Sequence, residues 1–171
     1  MTVATLASAF RWALRFGVIE RREVIKWADD QIAEQDDPDY WFIEVSTSQQ
    51  RDLEGRLSEA PGGLDEQDAL NQFLGLVHQQ WHQSQLMIGA LRGIGWVLHC
   101  DGLLESPEGE GDWGVALECI GEELDEGWST EADFREYASK SLQHYVAFTE
   151  LSEVVARIRN KCCTRSVAVE K

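Results

Sequence analysis

Four things are scarce in this chain, and each scarcity closes off a class of function. No apolar run approaches the roughly 20 residues that cross a bilayer; the most apolar stretch, LMIGALRGIGWVL at 86–98, contains Arg92 and predicts a buried core helix instead. The four cysteines, Cys100, Cys119, Cys162 and Cys163, include no CxxC pair, which argues against a disulfide framework or a zinc ribbon and suits a reducing cytosol. Bases are few: 15 Lys and Arg stand against 31 Asp and Glu, a net charge of −16. Such a chain is repelled by phosphate backbones and anionic lipid, so nucleic acid and membrane are not expected partners. A cationic protein, by contrast, is drawn in. Finally, alternating β-branched stretches of strand length are rare, and nearly every segment carries the helical period.

What is present is a large buriable surface. Hydrophobic residues make up 43% of 171 positions, with seven Trp, six Phe and three Tyr, enough for one core in one domain. The expectation is an all-α, single-domain bundle of about six helices over residues 1–159, with a long C-terminal helix and a mobile basic tail at 160–171. MTVATLASAFRWALRFG has arginines inside its apolar pattern and no cleavage-site pattern, so it is expected to be a first helix and not a signal peptide. Gly17 and Gly127 are predicted helix stops, and PGG at 61–63 is a firm boundary. Asp65 and Asp112 are predicted N-caps, Leu64 a hydrophobic staple, and Thr130 with Asp133 a capping box. YWFIEVSTSQQRDLEGRLSEA fits one helix or a turn followed by a helix. Residues 64–99 fit one helix or two, and the apolar phase from Phe134 to Ile158 fits a single long helix.

Charge comes in blocks. Residues 29–68 and 101–136 are strongly acidic, and 157–171 are basic. Solvated helix faces and a flexible basic tail are the more common explanation of such runs, and a binding surface is the other. As a binding surface they single out Asp29, Asp30 and Glu34 in one block, and Glu122, Glu123, Asp125 and Glu126 in the other. Tyr40, Trp41 and Trp128 lie beside these blocks and can supply anchor contacts, although burial in the core is their expected fate.

Other motifs carry less. GEGDWG at 109–114 matches GxGxxG, but no strand precedes it, and Glu105, Glu108, Glu110 and Asp112 would repel a diphosphate. It is taken as a chance match. Ser46, Ser48 and Ser84 lack a nucleophile-elbow setting, and no spacing among the many carboxylates separates an acid from a base. Cys162 and Cys163 are assigned no role. Arg92, if buried, requires an acidic partner or a cluster of carbonyls, and an ion pair that fixes helix packing is expected ahead of a ligand-binding role.

His78 and His82, in VHQQWHQ, are spaced to chelate one ion from one helix face, but a catalytic metal normally needs three protein ligands, and Gln79 stands where zinc-protease chemistry needs Glu. HQQWHQSQLMIGALRGIG, residues 78–95, resembles the closing motif of DinB-like metal-binding four-helix bundles, HxxxHxxQ followed by LRxxG. That resemblance implies a metal held by His78, His82 and a third histidine on an earlier helix, and this chain has no histidine before His78. A second likeness covers the N-terminal third. RWALRFGVIERREVIKWADDQIAEQDDPDYWFIEVSTS, residues 11–48, is similar to the opening of small helical bacterial proteins encoded beside secreted polymorphic toxins, in the WAL, G and I of the first corner, the VIKWADDQI helix, the DP break and the IEVS turn. It implies a non-enzymatic cytoplasmic immunity protein, without a cofactor, that binds and blocks a toxin domain. The expected function is therefore neutralisation of a cationic toxin through acidic surfaces, with a metal-binding bundle using His78 and His82 as the alternative.

Overall fold

Nine α-helices, and no strand, are found among the described residues: α1 (Val3–Arg15), α2 (Arg21–Glu34), α3 (Tyr40–Thr47), α4 (Gln50–Ser58), α5 (Glu66–His82), α6 (Ile88–Cys100), α7 (Trp113–Asp125), α8 (Glu131–Leu142) and α9 (Glu150–Val167). The structure, a computed structural model, describes residues 1–104 and 112–167, with side chains as far as Lys161. Glu105, Glu108, Glu110, the first half of GEGDWG, the side chains of Cys162 and Cys163, and residues 168–171 lie outside the described residues.

The helix ends follow local chemistry. Asp65 caps α5 through the Asp68 N–H (2.9 Å), Asp112 caps α7 through the Gly114 N–H (2.8 Å), and Thr130 and Asp133 form a reciprocal capping box on α8. Leu64 does not clamp the start of α5 as a staple should, being 49% exposed. Helices α1, α5, α6 and α7 end in the same paired-bond turn. In each, the residue after the cap has positive φ and bonds three residues back, and its successor bonds five back; at α7 these are Gly127 to Leu124 (3.1 Å) and Trp128 to Glu123 (2.8 Å). Three of these turns use glycine, whereas α5 places Ser84 there at φ 55. An L-residue in this region is strained by about 1 kcal/mol. Ser84→Gly is therefore expected to raise stability by roughly that amount in urea titration, and a variant no more stable than the parent would show that the turn costs serine nothing.

The expectation of about six helices is corrected to nine, because three segments break where no proline or glycine marks a break. At Ser48 the hydroxyls of Thr47 and Ser48 bond back to the carbonyls of Ile43 (2.8 Å) and Glu44 (2.6 Å), and the backbone turns extended (ψ 140). At Ser84 the strained turn separates α5 from α6. The expected single C-terminal helix is two helices, with a 3-10 turn at Gln143–Tyr145 between them. There the chain crosses α5, and a Cβ placed on Gly75 would lie 1.9 Å from the Phe148 carbonyl oxygen. Helix α9 runs on to Val167, through most of the segment expected to be a mobile tail.

The chain divides into two compact units, Met1–Leu76 with Ala147–Lys171, and Val77–Val146. In the first, α2 packs on α3 and α9, and α1 on α4 and α9. Its core is aromatic: Trp27 meets Phe10 at 4.8 Å, Phe42 at 5.6 Å and Trp41 at 5.9 Å between ring centroids, distances favourable for tilted and edge-on pairs. The Trp41 indole N–H donates to the Arg56 carbonyl (2.8 Å), tying α3 to α4. In the second unit α6 packs on α7, and α7 on α8. Its buried residues include Leu91, Ile94, Leu98, Leu117, Phe134 and Leu142. The α6–α7 backbones touch because neither partner has a side chain at the crossing: a Cβ on Gly114 would lie 2.3 Å from the Gly95 carbonyl oxygen. Helix α6 is not the fully buried element its composition predicts. Met87, immediately before it, is 79% exposed and Trp96 is 48% exposed.

Candidate partner-binding site

The acidic residues singled out in the sequence lie on α2, which pairs with α3 in the first unit, and at the end of α7, which pairs with α8 in the second. On the first pair much of the charge is engaged within the fold. Asp29 accepts from the Ser46 hydroxyl. Asp30, 17% exposed at its side chain, pairs with Lys26 and with Lys161 of α9 (3.0 Å). Burial alone would raise the Asp30 pKa, but hydrogen bonds and charge from the two lysines outweigh it and hold the carboxyl below its ordinary 3.8. Asp30 thus joins α2 to α9. Glu34 is exposed at the end of α2. Tyr40 opens α3 directly after its cap Asp39 and is 69% exposed.

The second pair is different. Arg92 reaches from α6 to α7, with one terminal nitrogen 2.9 Å from Glu118 and the other 2.8 Å from Asp125. Gly121 makes room for it; a Cβ there would stand 2.2 Å from the Arg92 Nε. Hydrogen bonds that Arg92 donates to the two carboxylates raise the guanidinium pKa further above its ordinary value, so Arg92 is a permanent cation held by α7. This is the ion pair predicted for Arg92, and it engages Asp125. Glu122, Glu123 and Glu126 are exposed and form no ion pair among the described residues.

At the end of this helix the Gly127 turn (φ 78) sets Trp128 in solvent, 80% exposed. Of the three aromatics expected in the core, only Trp41 is there, at 6% exposure; Tyr40 and Trp128 are a correction. Both sit at turns where a helix begins or ends. The signal that could have found Trp128 is its place one residue after a glycine stop, between two acid-rich helices. A bare indole in water forgoes a stabilisation of roughly 2 kcal/mol that burial would bring, and such residues are typical anchors of protein interfaces.

His78 and His82 lie on the last turns of α5 with ring centroids 4.4 Å apart. The His78 Nε2 is buried with no hydrogen-bond partner. Among the described residues no group of three or more His, Cys, Asp or Glu is placed to hold a metal. His99 is engaged with Asp112, Nδ1 to Oδ2 at 2.6 Å, and His144 lies in the exposed 3-10 turn. Desolvation, then the neighbouring His82, lower the His78 pKa below its ordinary 6.5. As pH falls below 6.5 the unfolded chain takes up this proton before the folded one, so stability complete above that value declines as pH drops towards the folded pKa. His78→Gln is expected to flatten that decline. Urea midpoints at about pH 7.5 and about pH 5.5 measure it, and equal slopes for parent and variant would contradict it.

Among the described residues no helix is long and apolar enough to cross a membrane. No protein-family model, curated protein or solved structure matches the chain.

Proposed function

We propose that this chain is a non-enzymatic, cytoplasmic binding protein of the immunity type, which neutralises a cationic toxin domain by docking it on acidic surfaces. The observation that carries this is the α7–α8 turn. There an indole 80% exposed closely follows the exposed Glu122, Glu123 and Glu126 in the chain, an apolar anchor next in sequence to charge of one sign. That combination suits a partner with an apolar pocket rimmed by lysine and arginine, where opposite charge speeds encounter and the aromatic residue slows release. The net charge of −16 and the likeness of residues 11–48 to toxin-associated immunity proteins support the same reading. The Asp29, Asp30 and Glu34 face contributes less, because Asp30 is already held by two lysines.

The test is binding to the product of the adjacent gene, measured by calorimetry with both proteins purified. The expected complex weakens by about tenfold or more between about 0.05 M and about 0.5 M salt. It weakens by a similar factor when Glu122, Glu123 and Glu126 are replaced by lysine, and Trp128→Ala shortens its lifetime. No complex at low salt, or one indifferent to both salt and these substitutions, would sink the reading.

A further inference from the structure

Of five glycines on α6 and α7, the fold accounts for three. Gly95 and Gly114 let the two backbones touch, and Gly121 makes way for Arg92. Gly89 and Gly93 have no such account: no described atom lies within 4 Å of where their Cβ would be. An interior helix glycine costs about 1 kcal/mol relative to alanine; Gly93 is such a position and Gly89 lies in the first turn, and at neither does a neighbouring element fill the space. They are four residues apart and so share one helix face. With Trp96 of α6 and Val115, Cys119 and Glu122 of α7, they line an open groove of about 640 Å³. Trp96 is 48% and Val115 36% exposed, so the groove offers apolar surface on both helices and two glycines on one side, with Arg92, Glu118 and Glu122 as its charged lining.

We infer that this α6–α7 groove is the seat of an amphipathic, lysine- or arginine-bearing helix from a second protein. The inference rests on the proposed function and narrows it to one face. Three observations select that occupant. The missing side chains at Gly89 and Gly93 allow a helix backbone to approach closely, as small residues do wherever helices pack tightly. The groove residues on α7 span Val115 to Glu122, about 10 Å at 1.5 Å per residue, which matches two turns of a docked helix with anchors at i, i+3, i+4 and i+7. The charge on the wall is of one usable sign. Arg92 is already held by Glu118 and Asp125, whereas Glu122 is exposed and forms no ion pair among the described residues, so a basic flank beside the apolar stripe is complemented and an acidic one repelled.

The experiment uses the full chain labelled with 5-fluorotryptophan, the Trp96 and Trp128 resonances being assigned with Trp96→Phe and Trp128→Phe. The probe is a synthetic amphipathic peptide of leucine and lysine, roughly four helical turns long, alongside a scrambled peptide of the same composition. The expected result is a saturable shift at Trp96 with the amphipathic peptide and a weaker response to the scrambled one. Gly93→Leu fills the groove at a helical position with open space above it, and is expected to weaken binding about tenfold while thermal stability holds or rises. Val115→Lys, on an exposed surface, is expected to do the same through charge. Unchanged affinity in both variants, or no binding, would overturn the groove assignment. So would a shift confined to Trp128, an outcome that leaves the proposed function standing. A chain that is dimeric until Gly93→Leu makes it monomeric would overturn it in favour of a second copy as the occupant. If the peptide docks as expected and the adjacent gene's product does not bind, the proposed function fails and the groove stands.

Discussion

Gly75→Ala is expected to destabilise the protein by about 3 kcal/mol, lowering the thermal midpoint by about 6 to 12 °C. The same substitution at Gly55 should stabilise it by about 1 kcal/mol. Both glycines are inside helices, and alanine is the better helix former at each. They differ in what lies above them. At Gly55, on exposed α4, a new Cβ meets nothing within 4 Å. At Gly75 it would lie 1.9 Å from the Phe148 carbonyl oxygen and 2.9 Å from the carbonyl carbon. These are backbone atoms of the connection between α8 and α9 and cannot rotate away, so either α5 or that connection must shift by more than an ångström in a close-packed region. Far-UV circular dichroism of both variants during heating checks the pair. Two midpoints moving in the same direction would mean that the crossing at Gly75 is looser than described.

Arg159→Leu is expected to cost about 3 kcal/mol, at the lower end for a broken buried pair. Glu23 is only 8% exposed at its side chain, and its Oε1 receives the Arg159 Nε at 2.5 Å. Its Oε2 accepts the Glu20 N–H at 2.7 Å, closing the capping box at the start of α2. Without Arg159 the carboxylate keeps its cap bond and loses its counter-charge in a site that water barely reaches. Arg159 itself is 38% exposed, so the reverse loss is gentler: Glu23→Gln leaves an acceptor for the cap and an arginine that can hydrate, and should cost less. Combining the two removes the stranded charge. The double variant is therefore expected to be more stable than Arg159→Leu alone, with a coupling of about 1 to 2 kcal/mol in urea titrations. Simple additivity would show that Glu23 never depended on its partner.

Much of the fold was legible because helix ends are local events. Asp65, Asp112 and the Thr130–Asp133 box announce starts through a side chain and an N–H a few residues away, and Gly17 and Gly127 announce stops through a conformation other residues avoid. The ion pairing of Arg92 was legible too, since a guanidinium in an apolar run needs a carboxylate or a cluster of carbonyls wherever it lands. The misses share a different cause. Ser84 adopts a glycine-like turn without being glycine, and the break between α8 and α9 carries no glycine or proline while apolar residues keep a helical phase across it. What interrupts the helix there is the crossing at Gly75, far away in sequence. The acidic site was half legible for the same reason. Composition marked the blocks, but only the folded arrangement shows Asp30 beside Lys161 and Asp125 on Arg92, leaving Glu34 on the first block and Glu122, Glu123 and Glu126 on the second as exposed charges outside those ion pairs. Periodicity could not place Tyr40 and Trp128 in solvent, because it counts an aromatic as core wherever one falls.

The Glu23–Arg159 pair joins positions 136 residues apart, and all of the second unit lies between them. At ribosomal speeds that interval is on the order of ten seconds. The second unit is one uninterrupted stretch of chain and can close while synthesis continues, whereas α1 to α4 of the first can pack on one another but are completed only when α9 arrives. During that wait the carboxylate of Glu23 lacks its counter-ion and α1 and α2 lack the part of their cover that α9 supplies.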